Sequence, residues 1–346
     1  MRRSLSPQKK KVPYKISNEL YTYLVDVGRT QSISVQYDDL LRFNNSISLF
    51  DKKGEDTLWL TVSYSPSEME ELNRELTGIY ATLKTNGDIK VMEHLHVERI
   101  DFCTFGNSKP FRIKIVNNYN DNYDYYYIKY ADASRIYGLE WEHILSPNRI
   151  NYFVNHQTLV EEHIVGIPGD QFMKYNLQDS ELNEIRLAKE FVKFNERCLV
   201  RLLGDMRSYN YVIDVTPDFE DTQYRIRAID FDQQCYEGRK NLYIPQFFKE
   251  NLPFVELCMK HLNANTVKQY QYEERALIAK RIRTSKYRVN QLLNVMKIDQ
   301  LSTQDKVDSL KQELAKHYQS NTFMKCENMG EVMQLSLNLL VDGLLS

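Results

Sequence analysis

Glycine is scarce in this 346-residue chain, with only 12 copies. That is about half the roughly 7% usual in globular proteins. The shortage excludes two phosphate-binding loops. A Walker A loop needs two glycines and a Lys-Ser or Lys-Thr pair, and no such string occurs. A dinucleotide fingerprint needs three glycines within six residues. Only Gly166 and Gly169 lie within three residues of each other. Any nucleotide must therefore be held mainly by side chains and metal. Cysteine is also sparse: the five, at 103, 198, 235, 258 and 326, form no Cys-x-x-Cys pair. Neither a zinc site nor a disulfide framework is indicated, and a reducing, cytoplasmic compartment is expected. No run of 18 apolar residues exists, so no membrane span or membrane partner is expected. An excess of charge is missing too. With 45 basic and 47 acidic residues, the balance argues against a nucleic-acid partner.

What is present is ordinary in bulk, at 42% hydrophobic and 27% charged, but rich in tyrosine, with 24 residues. Residues 1–15 carry Arg2, Arg3, Lys9, Lys10, Lys11 and Lys15 and no apolar stretch of the signal-peptide kind, so they read as a flexible basic tail. Leu58, Leu60, Val62 and Tyr64 alternate as on a half-buried strand, after a turn at Asp51–Glu55. Ser65-Pro66-Ser67-Glu68 predicts a helix start with a capping box. Met69, Leu72, Leu76, Ile79 and Leu83 continue it as an apolar stripe that Asn86-Gly87 ends. These residues form an expected α+β unit over 16–95.

From 96 to 165 the pattern is mostly strands. Phe111, Ile113 and Ile115 share a face, and Tyr125–Tyr130 carries Lys129 in an aromatic run. A short helix is expected over 132–145. From 166 to the end the chain is mainly helical. A buried helix is expected through Leu187, Phe191, Phe194, Cys198 and Leu202, followed by strands over 211–215 and 224–229.

The stretch with chemical content is Leu203-Gly-Asp-Met-Arg-Ser-Tyr-Asn210, followed by a hairpin and Ala228-Ile-Asp-Phe-Asp232. Phosphoryl transfer needs a carboxylate to orient or deprotonate a hydroxyl, hard oxygen ligands for Mg²⁺, and a cation against developing charge. Asp205-x-x-x-x-Asn210 resembles the catalytic loop of the protein-kinase-like superfamily. The Gly204-Asp205 pair is most similar to the aminoglycoside-phosphotransferase-like branch of small-molecule kinases. Asp230-Phe231-Asp232 resembles that superfamily's metal-binding Asp-Phe-Gly.

The resemblance implies an α+β, bilobal kinase-like fold: a β-rich lobe over 96–165, a helical lobe over 166–346, and the added unit before them. It implies Asp205 as the base, Arg207 as a phosphate contact, and Asn210 and Asp230 as Mg²⁺ ligands. Lys129 would hold the ATP phosphates, and Glu140 or Glu142 would position it, with Glu140 favoured. Leu159–Gly166 is similar to the hinge that holds adenine by backbone groups, which places Glu162 and Ile164 at the nucleotide. Gly106, in Phe105-Gly-Asn-Ser108, is what remains of the glycine-rich lid.

The expected activity is transfer of the ATP γ-phosphate, with Mg²⁺, to a hydroxyl of a small molecule rather than of a protein. Departures from the pattern favour a second expectation. Leu203 replaces the loop histidine and Tyr127 stands where a small residue usually faces adenine, as in a pseudokinase that serves as a scaffold. Read singly, Lys129 is a solvated strand lysine and Glu140 or Glu142 a surface helix charge. Asp205 is then a helix or turn cap, and Asp230 ends a strand. His94 and His96 lie on one strand face without a third ligand nearby. The tyrosine cluster at 119–130 suits a packed sheet face, and also the interface of a homo-oligomer.

Overall fold

The computed structural model describes residues 11–51, 54–85, 93–105, 108–218 and 222–343. It is a mixed α+β protein with a large antiparallel sheet and many helices. Two compact units divide it. The first takes Met1–Ile16, Leu24–Asp132 and Asn151–His163, and the second takes Ser17–Tyr23, Ala133–Ile150 and Ile164–Ser346. Gly106 and the Asn86-Gly87 helix stop lie outside the described residues. Among the described residues no helix is long and apolar enough to cross a membrane.

The first unit is built on seven strands: β1 (Asn45–Phe50), β2 (Asp56–Ser63), β3 (Leu95–Cys103), β4 (Phe111–Asn117), β5 (Tyr123–Tyr130), β6 (Tyr152–Asn155) and β7 (Thr158–Glu162). Their spatial order is β1-β2-β3-β4-β5-β7-β6, and every neighbouring pair is antiparallel. One face is apolar and lies under helix α3 (Pro66–Thr85). Ser65 and Glu68 close the capping box reciprocally, with Ser65 N–H donating to Glu68 at 3.0 Å and Glu68 N–H donating to Ser65 Oγ at 3.4 Å. Leu72, Leu76, Ile79 and Leu83 then join Ile113, Ile115, Tyr126 and Ile128 in one core cluster.

Strand alternation sends the other residues to the opposite face. There the register aligns Thr61, Asp101, Arg112, Tyr127, Glu161 and Tyr152 in one row across six strands. This polar row is dense. Asp101 is fully buried and accepts from Thr61 and Arg99 and, twice, from Arg112. The Arg112 guanidinium lies 4.4 Å from the Trp59 ring centre and 5.2 Å from that of Tyr125.

The second unit contains helix α4 (Ala133–Leu145) and a small sheet of β8 (Ile167–Pro168), β9 (Tyr211–Pro217) and β10 (Thr222–Ala228), in the order β10-β9-β8. Its long helix α6 (Glu184–Arg201) buries Leu187, Phe191, Phe194 and Cys198. The helix ends on Leu202, whose φ of 52° turns the chain left-handed. Helices α7 (Leu252–His261), α8 (Ala264–Thr284), α9 (Lys286–Met296), α10 (Gln304–Tyr318) and α11 (Met329–Asp342) complete it.

Candidate functional site

The loop from α6 to β9 carries Asp205, Arg207 and Asn210. It is fixed by backbone bonds to the segment that follows β10. Gly204 N–H donates to Gln233 O at 3.2 Å, Asp205 N–H to Leu242 O at 3.1 Å, and Cys235 N–H to Leu202 O at 2.8 Å. Ile229 N–H donates to Asn210 O at 3.0 Å. The two halves of the motif are therefore held together by main chain. Gly204 is small for a reason, because a Cβ there would stand 3.2 Å from Gln233 O.

Asp205 sits at φ +58°, a left-handed conformation that aspartate tolerates better than most residues. Asn210 spans the loop, donating from Nδ2 to Asp205 O at 2.7 Å. Arg207 Nε donates to Asp205 Oδ1 at 2.9 Å, and its Nη1 donates to Glu250 at 2.7 Å. Burial pushes the Asp205 carboxyl up to about 6, against the lowering pull of Arg207, with Asp230 and Glu237 adding to the rise. A carboxyl in that range is mostly ionised at neutral pH yet titrates close to it, which suits a general base.

Asp230 and Asp232 follow β10 and share one cation. Arg135, the third residue of α4, donates from Nη2 to Asp230 Oδ1 at 2.8 Å and from Nε to Asp232 Oδ1 at 2.7 Å. Between the acids, Phe231 is buried against α4 at Gly138, where an added Cβ would come within 2.8 Å of the Phe231 Cβ. Sequence reasoning missed Arg135. The signal available was a lone cation in the mostly apolar stretch Ala133–Leu139, since a buried guanidinium requires carboxylate partners.

In the first unit, Lys129 lies on the polar sheet face, and its Nζ is 2.5 Å from Glu161 Oε2. Both side chains are buried. Lys129 stands opposite Leu159 in the register, so Glu161, two residues further along β7, lies on the same face. Tyr127 is on that face too, with its hydroxyl 3.2 Å from His163 Nδ1. Glu162 accepts from Asn151 N–H at 2.7 Å, and Lys84 stands 3.7 Å from it.

In the second unit, Ile164 is buried. Glu140, fully buried on α4, is gripped there by Arg288 of α9 at 2.7 and 3.0 Å and by the Tyr23 hydroxyl at 2.6 Å. Glu142 is ion-paired with Arg201. His94 packs on Tyr119 with the rings tilted by 54° and their centres 4.0 Å apart.

Among the described residues no group of three or more His, Cys, Asp or Glu side chains is arranged to hold a metal ion. Asp230 and Asn210 would instead offer one carboxylate and one amide oxygen. Hard oxygens in small number suit Mg²⁺, which keeps much of its shell as water and phosphate oxygen. The donor set fits that ion, with the Arg135 guanidinium already on Asp230.

No family model matches the chain, and no curated protein matches it. Weakly similar solved structures are kinase domains. One is the autoinhibited serine kinase domain of the giant muscle protein titin, at 11% identity over 70% of this chain and 92% of that one, with a TM-score of 0.27. Another is titin kinase with its flanking domains, at 12% identity over 71% of this chain and 55% of that one, with a TM-score of 0.25.

Proposed function

We propose that the chain is an atypical kinase: a phosphotransferase of kinase-like fold that uses ATP and Mg²⁺ to phosphorylate a hydroxyl of a small molecule. The observation that carries this reading is the Asp205 loop. It presents a carboxylate raised to about 6, bridged by Asn210 and backed by Arg207. In this reading Asp205 takes the proton of the acceptor hydroxyl as it attacks, and Arg207 steadies the transferred group. Asn210 and Asp230 hold Mg²⁺, which when bound neutralises charge on the phosphates. Lys129, Glu162 and Ile164 are assigned to the nucleotide by the sequence resemblance alone, as is the aminoglycoside-phosphotransferase-like character of Gly204-Asp205. The small acceptor is supported by the segment after Asp232, which is pinned back at Gln233, Cys235 and Leu242 rather than left as a long loop.

A second reading is favoured by one contact. Arg135 supplies Asp230 with a positive charge from within the protein, as a pseudokinase scaffold that has given up metal would. Thermal melting with ATP and Mg²⁺ separates the readings. The phosphotransferase is expected to melt higher with ATP·Mg²⁺, and Asp230→Asn to lose the shift. It is also expected to turn over ATP slowly, and Asp205→Asn to stop that turnover. No shift in the wild type removes the nucleotide from the reading. A shift with turnover that Asp205→Asn leaves unchanged removes the enzyme and leaves the scaffold.

A further inference from the structure

We propose that Arg135 is the resident counter-cation of Asp230 and Asp232 and that it sets the affinity of this site for divalent metal, so that metal reaches Asp230 in exchange for the guanidinium. The inference deepens the phosphotransferase reading and rests on it for Asp230 as a metal ligand.

The position of Arg135 is unusual for a cation. It lies in the first turn of α4, where the helix dipole disfavours positive charge, and its side chain is 2% exposed. A buried guanidinium needs carboxylates to face it, and both acids meet its fork. Asp230 Oδ1 accepts from Arg135 Nη2 at 2.8 Å and from Asp232 N–H at 3.1 Å, so one of its two oxygens is bonded twice and the guanidinium lies against the carboxylate that metal would use. Asp232 is buried and holds Arg135 Nε at 2.7 Å. When Asp230 lets go, the guanidinium therefore stays beside it, as a positive charge against any incoming cation.

The clamp is also mechanical. Phe231 packs on Gly138, one turn after Arg135 on α4, so the helix that carries the cation also fixes the residue between its two acids. Arg135 is thus a positioning residue. It keeps Asp230 aimed when the site is empty and weakens metal binding until phosphate oxygens arrive with the ion to offset the repulsion. Lysine would not replace it, because a single ammonium cannot reproduce the two-pronged contact.

The test uses Mn²⁺ alone, without nucleotide, and titrates the full chain by the electron paramagnetic resonance signal of free Mn²⁺. Arg135→Gln is expected to bind Mn²⁺ at least tenfold more tightly than the wild type, and Arg135→Gln/Asp230→Asn to lose that gain. A purely structural arginine would not give a gain that depends on Asp230. Equal affinity in the wild type and Arg135→Gln, no Mn²⁺ binding in either, or a gain that survives Asp230→Asn overturns the proposal. Should Arg135→Gln fail to fold, Arg135→Lys keeps the charge but reaches one carboxylate. An affinity at least threefold above the wild type then supports the proposal, and an equal one overturns it. Failure of the nucleotide reading is seen separately, as no stabilisation of the wild type by ATP·Mg²⁺.

Discussion

Asn210 donates its side-chain amide to the main-chain carbonyl of Asp205 at 2.7 Å, tying the two ends of a six-residue loop. The same nitrogen lies 3.5 Å from Asp205 Oδ2, which leaves the amide oxygen as the group turned away from the carboxylate. The bond therefore does two things. It joins Arg207 N–H in satisfying a carbonyl in a left-handed turn, and it sets the direction of the amide oxygen that the proposed Mg²⁺ site would use.

Asn210→Ala removes both. The Asp205 carbonyl keeps a backbone donor in Arg207 N–H at 2.8 Å, so losing the side-chain bond costs about 1 kcal/mol. The variant is expected to melt below the wild type and to lose the stabilisation by ATP·Mg²⁺ expected of the wild type. A variant with an unchanged melting temperature would show that backbone bonds alone hold the loop.

The Asp205 carboxyl predicts a pH dependence of stability. Its folded value is raised to about 6 from an ordinary 3.8, so the folded state keeps this proton longer than the unfolded chain does. The stability it contributes is then complete below about pH 4 and is lost as pH rises through about 6. Asp205→Asn does not titrate. The stability of the wild type relative to this variant is expected to fall by about 1–3 kcal/mol between pH 4 and 6.5 and to stay level above pH 7. Melting temperatures of both proteins across that range check it, and a difference that rises with pH would reverse the sign. Phosphoryl transfer, which needs the ionised base, is expected to rise with pH through about 6.

Lys129 and Glu161 form a buried pair on the polar sheet face, 2.5 Å apart. Lys129→Met or Glu161→Gln leaves the other charge without this counter-ion, at a cost of about 3 kcal/mol. The double variant is expected to lose less than the sum, with a coupling of about 1 kcal/mol or more. Denaturant titration of the four proteins measures it. Additive losses would mean that each side chain is held by its other neighbours.

These partnerships mark how far the sequence could be read. The start of α3 was legible because a capping box spans four residues, and the β4 stripe because alternation is local. The α+β class and the helices after residue 244 were legible for the same reason. Asp205 and Asn210 were legible as a pair because five residues of spacing confine both to one loop. Periodicity gives the face of a residue but not what meets it. Glu161 faces Lys129 through strand register across 32 residues, and Arg288 reaches Glu140 across 148. Arg135 spans 95 residues to Asp230, a distance at which no pattern in a single sequence points to a partner. Likewise β2 pairs with β3 through a register that no local signal announces, so one sheet runs through residues 45–162.

Gly138 tests the link between α4 and the acids. In mid-helix, alanine is ordinarily better than glycine by about 1 kcal/mol. Here the added Cβ would meet Phe231 Cβ at 2.8 Å, its Cδ1 at 3.2 Å and Gln234 Cβ at 3.3 Å. A Cβ is not the free end of a side chain, so relief requires the backbone of Asp230-Phe231-Asp232 to move. Overpacking of this kind costs about 1–3 kcal/mol, enough to cancel or exceed the helical gain. Gly138→Ala is therefore expected to melt no higher than the wild type. Because the shift carries Asp230 and Asp232 away from Arg135, it is also expected to change Mn²⁺ affinity at least threefold. A variant that melts higher with unchanged Mn²⁺ affinity would show that Phe231 yields without disturbing the acids on either side of it.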